Sequence, residues 1–180
     1  MKKARFQIKL TPLESEPGGQ DVWPEKGTES LEFFLSPNPG EDLKPLHRIA
    51  SGGELSRFML ALKSVGKEKV EAKTLIFDEI DAGIGGKTAE FVARKLSSLA
   101  HYNQVICITH LPQIASFATH HFRIEKHVEK NRTFTGIQKL EPQKRIEEIA
   151  RLLAGSHITA TTLQTAREML EKNSPSPESS

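Results

Sequence analysis

The sequence predicts an α/β fold: a mainly parallel core sheet flanked by helices, with extra antiparallel strands. Two short apolar runs, 74–77 and 104–109, are typical of strands buried on both faces of a parallel sheet. Segments 51–65 and 87–100 repeat apolar residues at helical spacing, one before the first run and one between the two runs. Near residue 130, two alternating stretches predict an antiparallel hairpin.

The first 50 residues predict two strands separated by a loop. Apolar and polar residues alternate in 4–10 and again in 30–36. The apolar members of these alternations are Phe6, Ile8, Leu10, Leu31, Phe33 and Leu35. Segment 11–28 is rich in proline, glycine and acidic residues and is expected to be a loop pinned by Trp23. The Pro-Asn-Pro-Gly sequence at 37–40 predicts a turn.

The next segment predicts a helix that begins with a capping box. Ser51 and Glu54 have the spacing at which each side chain accepts from a free backbone N–H of the first turn. The apolar positions that follow are Leu55, Phe58, Met59, Leu62 and Val65. The glycines at 52 and 53 permit close approach of another molecule, and a helix N-terminus attracts phosphate. These residues alone fit either an ordinary capped helix or a phosphate-binding one.

The strand predicted at 74–77 ends in two adjacent carboxylates, Asp78 and Glu79. In open α/β sheets, ligands bind at the C-terminal ends of the strands. An aspartate there can hold Mg²⁺, and a neighbouring carboxylate can polarise an attacking water. The alternative is a solvated strand end that leads into the turn 81–86, whose Asp-Ala-Gly-Ile-Gly-Gly sequence suits a turn.

The run 104–109 ends in His110. If the two strands are parallel, His110 emerges at the same sheet edge as Asp78 and Glu79, where it could reach a terminal phosphate or orient water. A histidine at the end of a core strand is more often structural. The helix between the strands, 87–100, is expected to bury Ala89, Val92, Ala93, Leu96 and Leu99.

A phosphate-binding P-loop is missing from the sequence. That motif requires a glycine, four residues and then Gly-Lys-Ser/Thr. The nearest match is Gly86-Lys87-Thr88, but Asp81 stands where the first glycine is needed. We interpret this stretch as a turn into the helix 87–100.

The C-terminal part predicts a short helix that opens at Pro112, a hairpin and two helices separated by residues 155–156. The hairpin strands and the two helices are predicted at 121–128, 133–140, 143–154 and 158–172. We expect one domain over 1–173, followed by a disordered tail at 174–180.

The composition indicates a soluble, cytoplasmic domain. No apolar run is as long as a membrane span, and no signal peptide is visible. The single cysteine, Cys107, lies in a predicted core strand and is expected to be a small buried hydrophobe. With 25 basic and 23 acidic residues, the net charge of +2 does not indicate strong DNA binding by this chain alone.

Several longer motifs together resemble the RecN family of bacterial DNA-repair proteins, an SMC-like branch of the ABC ATPase superfamily. They lie at 36–57, 77–86, 108–115, 148–155, 158–159 and 166–170. The glutamate after the two glycines is typical of the SMC branch, whereas ABC transporters usually carry glutamine there. The resemblance covers roughly residues 4–172 and implies the C-terminal lobe of an ATPase head.

The resemblance also implies site residues. In the family, ATP with Mg²⁺ is sandwiched between the P-loop lobe of one head and the Ser-Gly-Gly-Glu helix of another. By motif, Asp78 would help to bind Mg²⁺, Glu79 would activate water, and His110 would hold the γ-phosphate. Asp81 would lie in a loop that crosses the interface. The implied nucleotide-binding residues are Ser51, Gly52, Gly53, Glu54 and Asp81.

The implied partners are an N-terminal P-loop lobe with a coiled-coil arm, a second head, and DNA through the intact protein. This sequence contains neither a P-loop nor a sustained heptad pattern. Two hypotheses therefore stand. The chain is the C-terminal half of an ATP-hydrolysing head that acts in double-strand-break repair and recombination, or it is a non-catalytic dimerisation or binding module left by gene truncation or splitting.

Overall fold

The computed structural model describes residues 4–13, 27–37, 40–48, 51–65, 72–129 and 132–173. In these ranges the strands are β1 (Arg5–Pro12), β2 (Glu29–Ser36), β3 (Lys44–Pro45), β4 (Thr74–Phe77), β5 (Gln104–Cys107), β6 (Phe122–Glu129) and β7 (Arg132–Lys139). The helices are α1 (Gly52–Val65), α2 (Gly86–Ala100), α3 (Pro112–Ala115), α4 (Pro142–Ala154) and α5 (Ala160–Asn173), with a 3₁₀ turn at Leu46–Arg48.

The chain divides into two compact units, Met1–Leu55 and Ser56–Ser180, and the division falls inside α1. In the first unit, β2 lies between β1 and β3, antiparallel to both. The two predicted strands are confirmed, but β1 runs two residues into the predicted loop because Thr11 and Pro12 pair with β2. Strand β3 and the 3₁₀ turn were not predicted, since they are too short to show a period.

Some predictions concern residues outside the described ranges. These are the anchoring role of Trp23, residues 38–39 of the predicted turn, the loop at 130–131 and the disordered tail at 174–180. The prediction of one lobe over 1–173 also stays a prediction.

In the second unit, β4 and β5 pair in parallel, with Thr74 opposite Gln104 and Phe77 opposite Cys107. Helix α2 connects them and buries four of its five predicted apolar positions, while Leu99 is partly buried. The resulting core cluster consists of Leu60, Phe77, Ile80, Ala89, Val92, Ala93, Leu96 and Ile114. The predicted α/β class and the parallel order of these two strands are confirmed.

The prediction that both strands are buried on both faces is wrong for this chain. Ile76, its partner Ile106, and Ile108 share the face opposite the core and are 67%, 44% and 49% exposed. Helix α1 is likewise less buried than its apolar pattern predicts. Phe58 is buried as predicted, but Leu55, Met59, Leu62 and Val65 are exposed. These apolar surfaces lack a covering layer among the described residues.

The predicted hairpin and final helices are confirmed within two residues at each end. Strands β6 and β7 pair antiparallel from Phe122 opposite Lys139 onward. Helices α4 and α5 form a second apolar cluster with α3, and Gly155 ends α4 with a positive φ of 67°, which glycine adopts readily. None of the helices in the described ranges is both long and apolar enough to cross a membrane.

Candidate active site

The glycine-containing start of α1 lies in the first unit. The backbone N–H of Glu54 donates to Ser51 Oγ at 3.4 Å, and the N–H of Leu55 donates to Ser51 O at 3.2 Å. Ser51 therefore caps the helix, as predicted. Gly52 is exposed, Gly53 is buried, and Glu54 is half-buried. The predicted contact of these residues with a phosphate stays a prediction.

The second turn of α1 holds the backbone that follows β4. Ser56 Oγ donates to the carbonyl of Asp78 at 2.7 Å. Arg57 Nη1 donates to the carbonyls of Ile80 and Ala82 at 3.1 and 2.8 Å. Sequence reasoning did not assign a role to Ser56 or Arg57. Their only sequence signal is their position directly after the glycine motif, because helical periodicity does not show which carbonyls a polar side chain reaches.

Asp78 and Glu79 are both exposed at the C-terminal end of β4. Asp78 Oδ1 accepts a hydrogen bond from the backbone N–H of Glu79 at 2.9 Å. Among the described residues, Glu79 alone has a positive φ without being glycine (φ 54°). The left-handed region costs an L-residue roughly 1–2 kcal/mol, and such strain is concentrated at functional sites.

His110 emerges at the same sheet edge, because β4 and β5 are parallel and the N–H of Ile108 extends their pairing to Phe77 O at 2.9 Å. Its ring is 74% exposed, but Nδ1 lies 3.0 Å from Asp81 Oδ2. The same oxygen accepts from Thr109 Oγ1 at 2.6 Å and from the backbone N–H of His110 at 2.9 Å. The structure thus places Asp81 beneath this edge.

The Asp81 side chain is only 5% exposed. Burial raises the pKa of its carboxyl group, but the hydrogen bonds from Thr109 and from the His110 backbone, with the charge of His110, bring that pKa below its usual value. Asp81 is therefore ionised at neutral pH. Its predicted position in the loop after β4 agrees with the structure. The inward orientation of its carboxylate was not predicted, and its contribution to nucleotide binding stays a prediction.

Cys107 packs against the core cluster beside these carboxylates. Burial, together with the negative charges of Asp81 and Asp78, raises the pKa of its thiol to about 12. The thiol is therefore neutral and unsuited to act as a nucleophile. This agrees with the predicted role of Cys107 as a small hydrophobe.

The side chains at this edge fit Mg²⁺ only as part of a larger complex. In the described part of the chain, no three His, Cys, Asp or Glu side chains converge into a metal site. Mg²⁺ commonly keeps several waters and takes one or two carboxylates together with substrate phosphates. Asp78, an exposed carboxylate, fits that smaller role, whereas an ion bound by protein groups alone does not fit.

Comparisons with known proteins show close relatives. No family model matches the chain. The DNA repair protein RecN of Treponema pallidum is 44% identical over 170 residues, which are 94% of this chain and 30% of that protein. RecN of Deinococcus radiodurans is 45% identical over 170 residues, 94% of this chain and 28% of that protein. RecN of Halalkalibacterium halodurans is 40% identical over 171 residues, 95% of this chain and 30% of that protein.

Among solved structures, the Smc head domain with a coiled coil from Pyrococcus yayanosii is similar at a TM-score of 0.48 and 22% identity, over 80% of this chain and 25% of that chain. The Smc head domain of Pyrococcus furiosus, solved with the C-terminal domain of ScpA, gives a TM-score of 0.45 and 21% identity, over 82% and 34%. Likeness at this level carries no argument about function.

The chain spans about 30% of the length of the curated relatives that it matches. Over that region the identity of 40–45% confirms the resemblance carried by the motifs. The chain therefore belongs, over the region that it shares with them, to the RecN family.

Proposed function

We propose that the chain supplies one part of an ATP-hydrolysing head in a protein that acts in DNA double-strand-break repair and recombination. The observation that carries this proposal is the edge of the β4–β5 pair. There the parallel order brings the exposed carboxylates of Asp78 and Glu79 to the same side as the exposed ring of His110. Relatives that are named for DNA repair support the biological setting.

Three residues would carry the chemistry at this edge. Asp78 would be the protein ligand of Mg²⁺, Glu79 would take a proton from the attacking water, and His110 would hold the γ-phosphate. When bound, ATP with Mg²⁺ supplies the transferring phosphoryl group and neutralises its developing charge. The exposure of all three side chains and the left-handed backbone of Glu79 support these roles.

The start of α1 would act on a second nucleotide. Ser51, Gly52, Gly53 and Glu54 would meet the γ-phosphate of ATP held by an opposing head, with helix N–H groups as donors. The exposed Gly52 at the capped helix start supports this assignment. The buried carboxylate of Asp81 favours a role within the chain, holding the strand-end residues, over direct contact with the nucleotide.

The proposed partner is a polypeptide lobe that carries the P-loop and a coiled-coil arm. Parallel sheets normally have both faces covered, yet Ile76 and Ile106 leave one face of the β4–β5 pair apolar and open. A lobe that covers this face would also bring the phosphate cradle. A second head, ATP with Mg²⁺, and DNA bound by the intact protein complete the proposed assembly, which we place in the cytoplasm at the nucleoid.

A non-catalytic dimerisation or binding module is the second candidate. The observation that favours it is the missing P-loop motif, because that loop and its lysine position the β- and γ-phosphates. This candidate predicts a chain that binds partners and never hydrolyses ATP.

Phosphate release decides between the two candidates. The full chain is mixed with the P-loop lobe and coiled-coil arm of a RecN relative, produced separately. We expect background hydrolysis from the chain alone and ATP-dependent turnover from the mixture. Glu79→Gln should lower that turnover by about 10²–10⁴-fold, the range for loss of a general base. Glu168→Gln, an exposed carboxylate on α5, serves as the control and should have no effect.

Two outcomes would contradict the catalytic proposal. Complex formation without any hydrolysis supports the binding module. Turnover that is unchanged by Glu79→Gln shows that water is activated elsewhere.

A further inference from the structure

We propose that Asp81 is a positioning residue that holds the imidazole of His110 with Nδ1 protonated and inward, so that Nε2 is the nitrogen presented to a ligand at the sheet edge. Asp81 would then not bind the nucleotide itself, as the resemblance implied, but would act on it by orienting His110. The state of the ring follows from contacts within the chain. Only its catalytic consequence rests on the function proposed above.

The charge of Asp81 and its distance from the ring indicate which nitrogen of His110 is protonated. An ionised carboxylate can only accept hydrogen bonds, and His110 Nδ1 lies 3.0 Å from Asp81 Oδ2. An unprotonated Nδ1 would place its lone pair against the negative oxygen at this distance, so the contact favours a proton on Nδ1. In a neutral imidazole the other nitrogen is then unprotonated, and which nitrogen carries the proton is set by such a partner. His110 Nε2 is thus available to a group that approaches from solvent.

Hydrogen bonds fix the position of the Asp81 carboxylate next to the His110 ring. Oδ2 of Asp81 accepts from Thr109 Oγ1 at 2.6 Å and from the His110 backbone N–H at 2.9 Å, and Thr109 Oγ1 accepts in turn from the Leu111 N–H at 3.0 Å. Arg57 binds the carbonyls of the residues on either side of Asp81. The Asp81 oxygen is therefore fixed before any ligand arrives, which is the condition for preorganised catalysis.

The state of the ring can be measured without ATP hydrolysis. Nitrogen NMR of the full chain, labelled at its histidines, distinguishes protonated from unprotonated ring nitrogens at a pH where the signals have stopped moving. The His110 signal is assigned by its loss in His110→Ala. His101 provides an internal reference, because its Nδ1 lies 2.9 Å from the carbonyl of Ser97, which can only accept.

Three variants separate positioning from folding. Asp81→Ala removes the acceptor and should convert most of the His110 population to the form protonated on Nε2. Asp81→Asn retains an acceptor oxygen and should restore the Nδ1-protonated form. Thr109→Val removes one bond to the carboxylate but leaves the contact with His110, so it should lower the melting temperature and keep the ring state. The His101 signals should be unchanged throughout.

The proposal is overturned if His110 in the unaltered chain is protonated on Nε2, a result that needs no variant. It is overturned equally if Asp81→Ala leaves the ring state unchanged. In the reconstituted ATPase, Asp81→Ala should lower kcat by about 10- to 100-fold, by analogy with the loss of a group that orients a metal-bound histidine. If the mixture never hydrolyses ATP, the proposed function fails while the NMR result still decides the role of Asp81.

Discussion

Glu79 combines an exposed carboxylate with a backbone conformation that its own Cβ disfavours. Asp78 Oδ1 helps to hold this conformation by accepting the Glu79 N–H. A residue chosen for stability at this position would be glycine. The glutamate at this position therefore costs stability that a glycine would not cost.

Replacing Glu79 with glycine should therefore stabilise the chain relative to replacing it with alanine. Both changes remove the carboxylate, but only alanine keeps the Cβ in the left-handed region. We expect Glu79→Gly to exceed Glu79→Ala by about 1 kcal/mol in the free energy of unfolding, measured by urea denaturation at equilibrium. Equal stability of the two variants would show that the turn relaxes when the glutamate is removed.

At the residue scale the sequence predicted part of this site. Asp78, Glu79 and His110 follow apolar runs, so parallel strands necessarily bring them to one edge. The inward direction of Asp81 was not predictable, because an aspartate in a turn commonly bonds its own neighbouring backbone instead. Its burial depends on Thr109 and His110, 28 and 29 residues away in the chain.

At the scale of elements, Glu148 joins α4 to the β6–β7 hairpin. It is buried, and it accepts from Arg151 Nε at 2.9 Å and from Arg151 Nη2 at 2.6 Å, while Arg123 Nε of β6 lies at 3.5 Å. Burial raises the pKa of Glu148, but Arg151, Arg123 and His121 bring it below its usual value. The ionised form thus stabilises the fold.

Glu148→Gln should lower the free energy of unfolding by about 1–3 kcal/mol near neutral pH, as for a lost hydrogen bond to a charged group. Because the folded-state pKa lies below the unfolded one, this contribution is complete above the ordinary glutamate pKa of about 4.3. It is lost as the pH falls through the lowered pKa. Denaturation at several pH values should show the difference between the two proteins shrinking on acidification; a constant difference would contradict this account.

The elements themselves were mostly predictable, since their periods are clear and their turns carry glycine or proline. The sequence did not show whether one face or both faces of each apolar strand would be covered by other residues. A run such as Leu75-Ile76-Phe77 is apolar on both sides, and it predicted burial that the described chain provides on one side only. Whether the other face is buried depends on what packs against it, and the residues of the strand itself do not show that.

At the scale of the whole molecule, the open face of the β4–β5 pair is the surface on which the proposed partner lobe would pack. The double variant Ile76→Thr/Ile106→Thr should weaken binding of the P-loop lobe at least tenfold. The estimate follows from burial of about 1.5–3 kcal/mol for each isoleucine side chain. Titration calorimetry of the chain with the P-loop lobe would measure the change in affinity.

The hairpin offers a matched control. Ile124 and Ile137 are also cross-strand partners and are exposed to a similar extent. Ile124→Thr/Ile137→Thr removes the same atoms from another surface and should leave lobe binding unchanged. If it weakens binding as much as the first double variant, the β4–β5 face is not the specific contact.

The hydrogen bonds at the sheet edge have a consequence for its motion. Three backbone amides beyond the ends of β4 and β5 donate to side chains: Glu79 to Asp78, His110 to Asp81 and Leu111 to Thr109. Amides in exposed loops ordinarily exchange with deuterium almost as fast as in an unfolded chain. The His110 and Leu111 amides are instead bonded to Asp81 and Thr109, which are themselves bonded to each other. They should therefore exchange only when the contact between Asp81 and Thr109 opens. The exchange rate of these two amides thus reports how often the sheet edge opens. Thr109→Val should increase that rate at both positions.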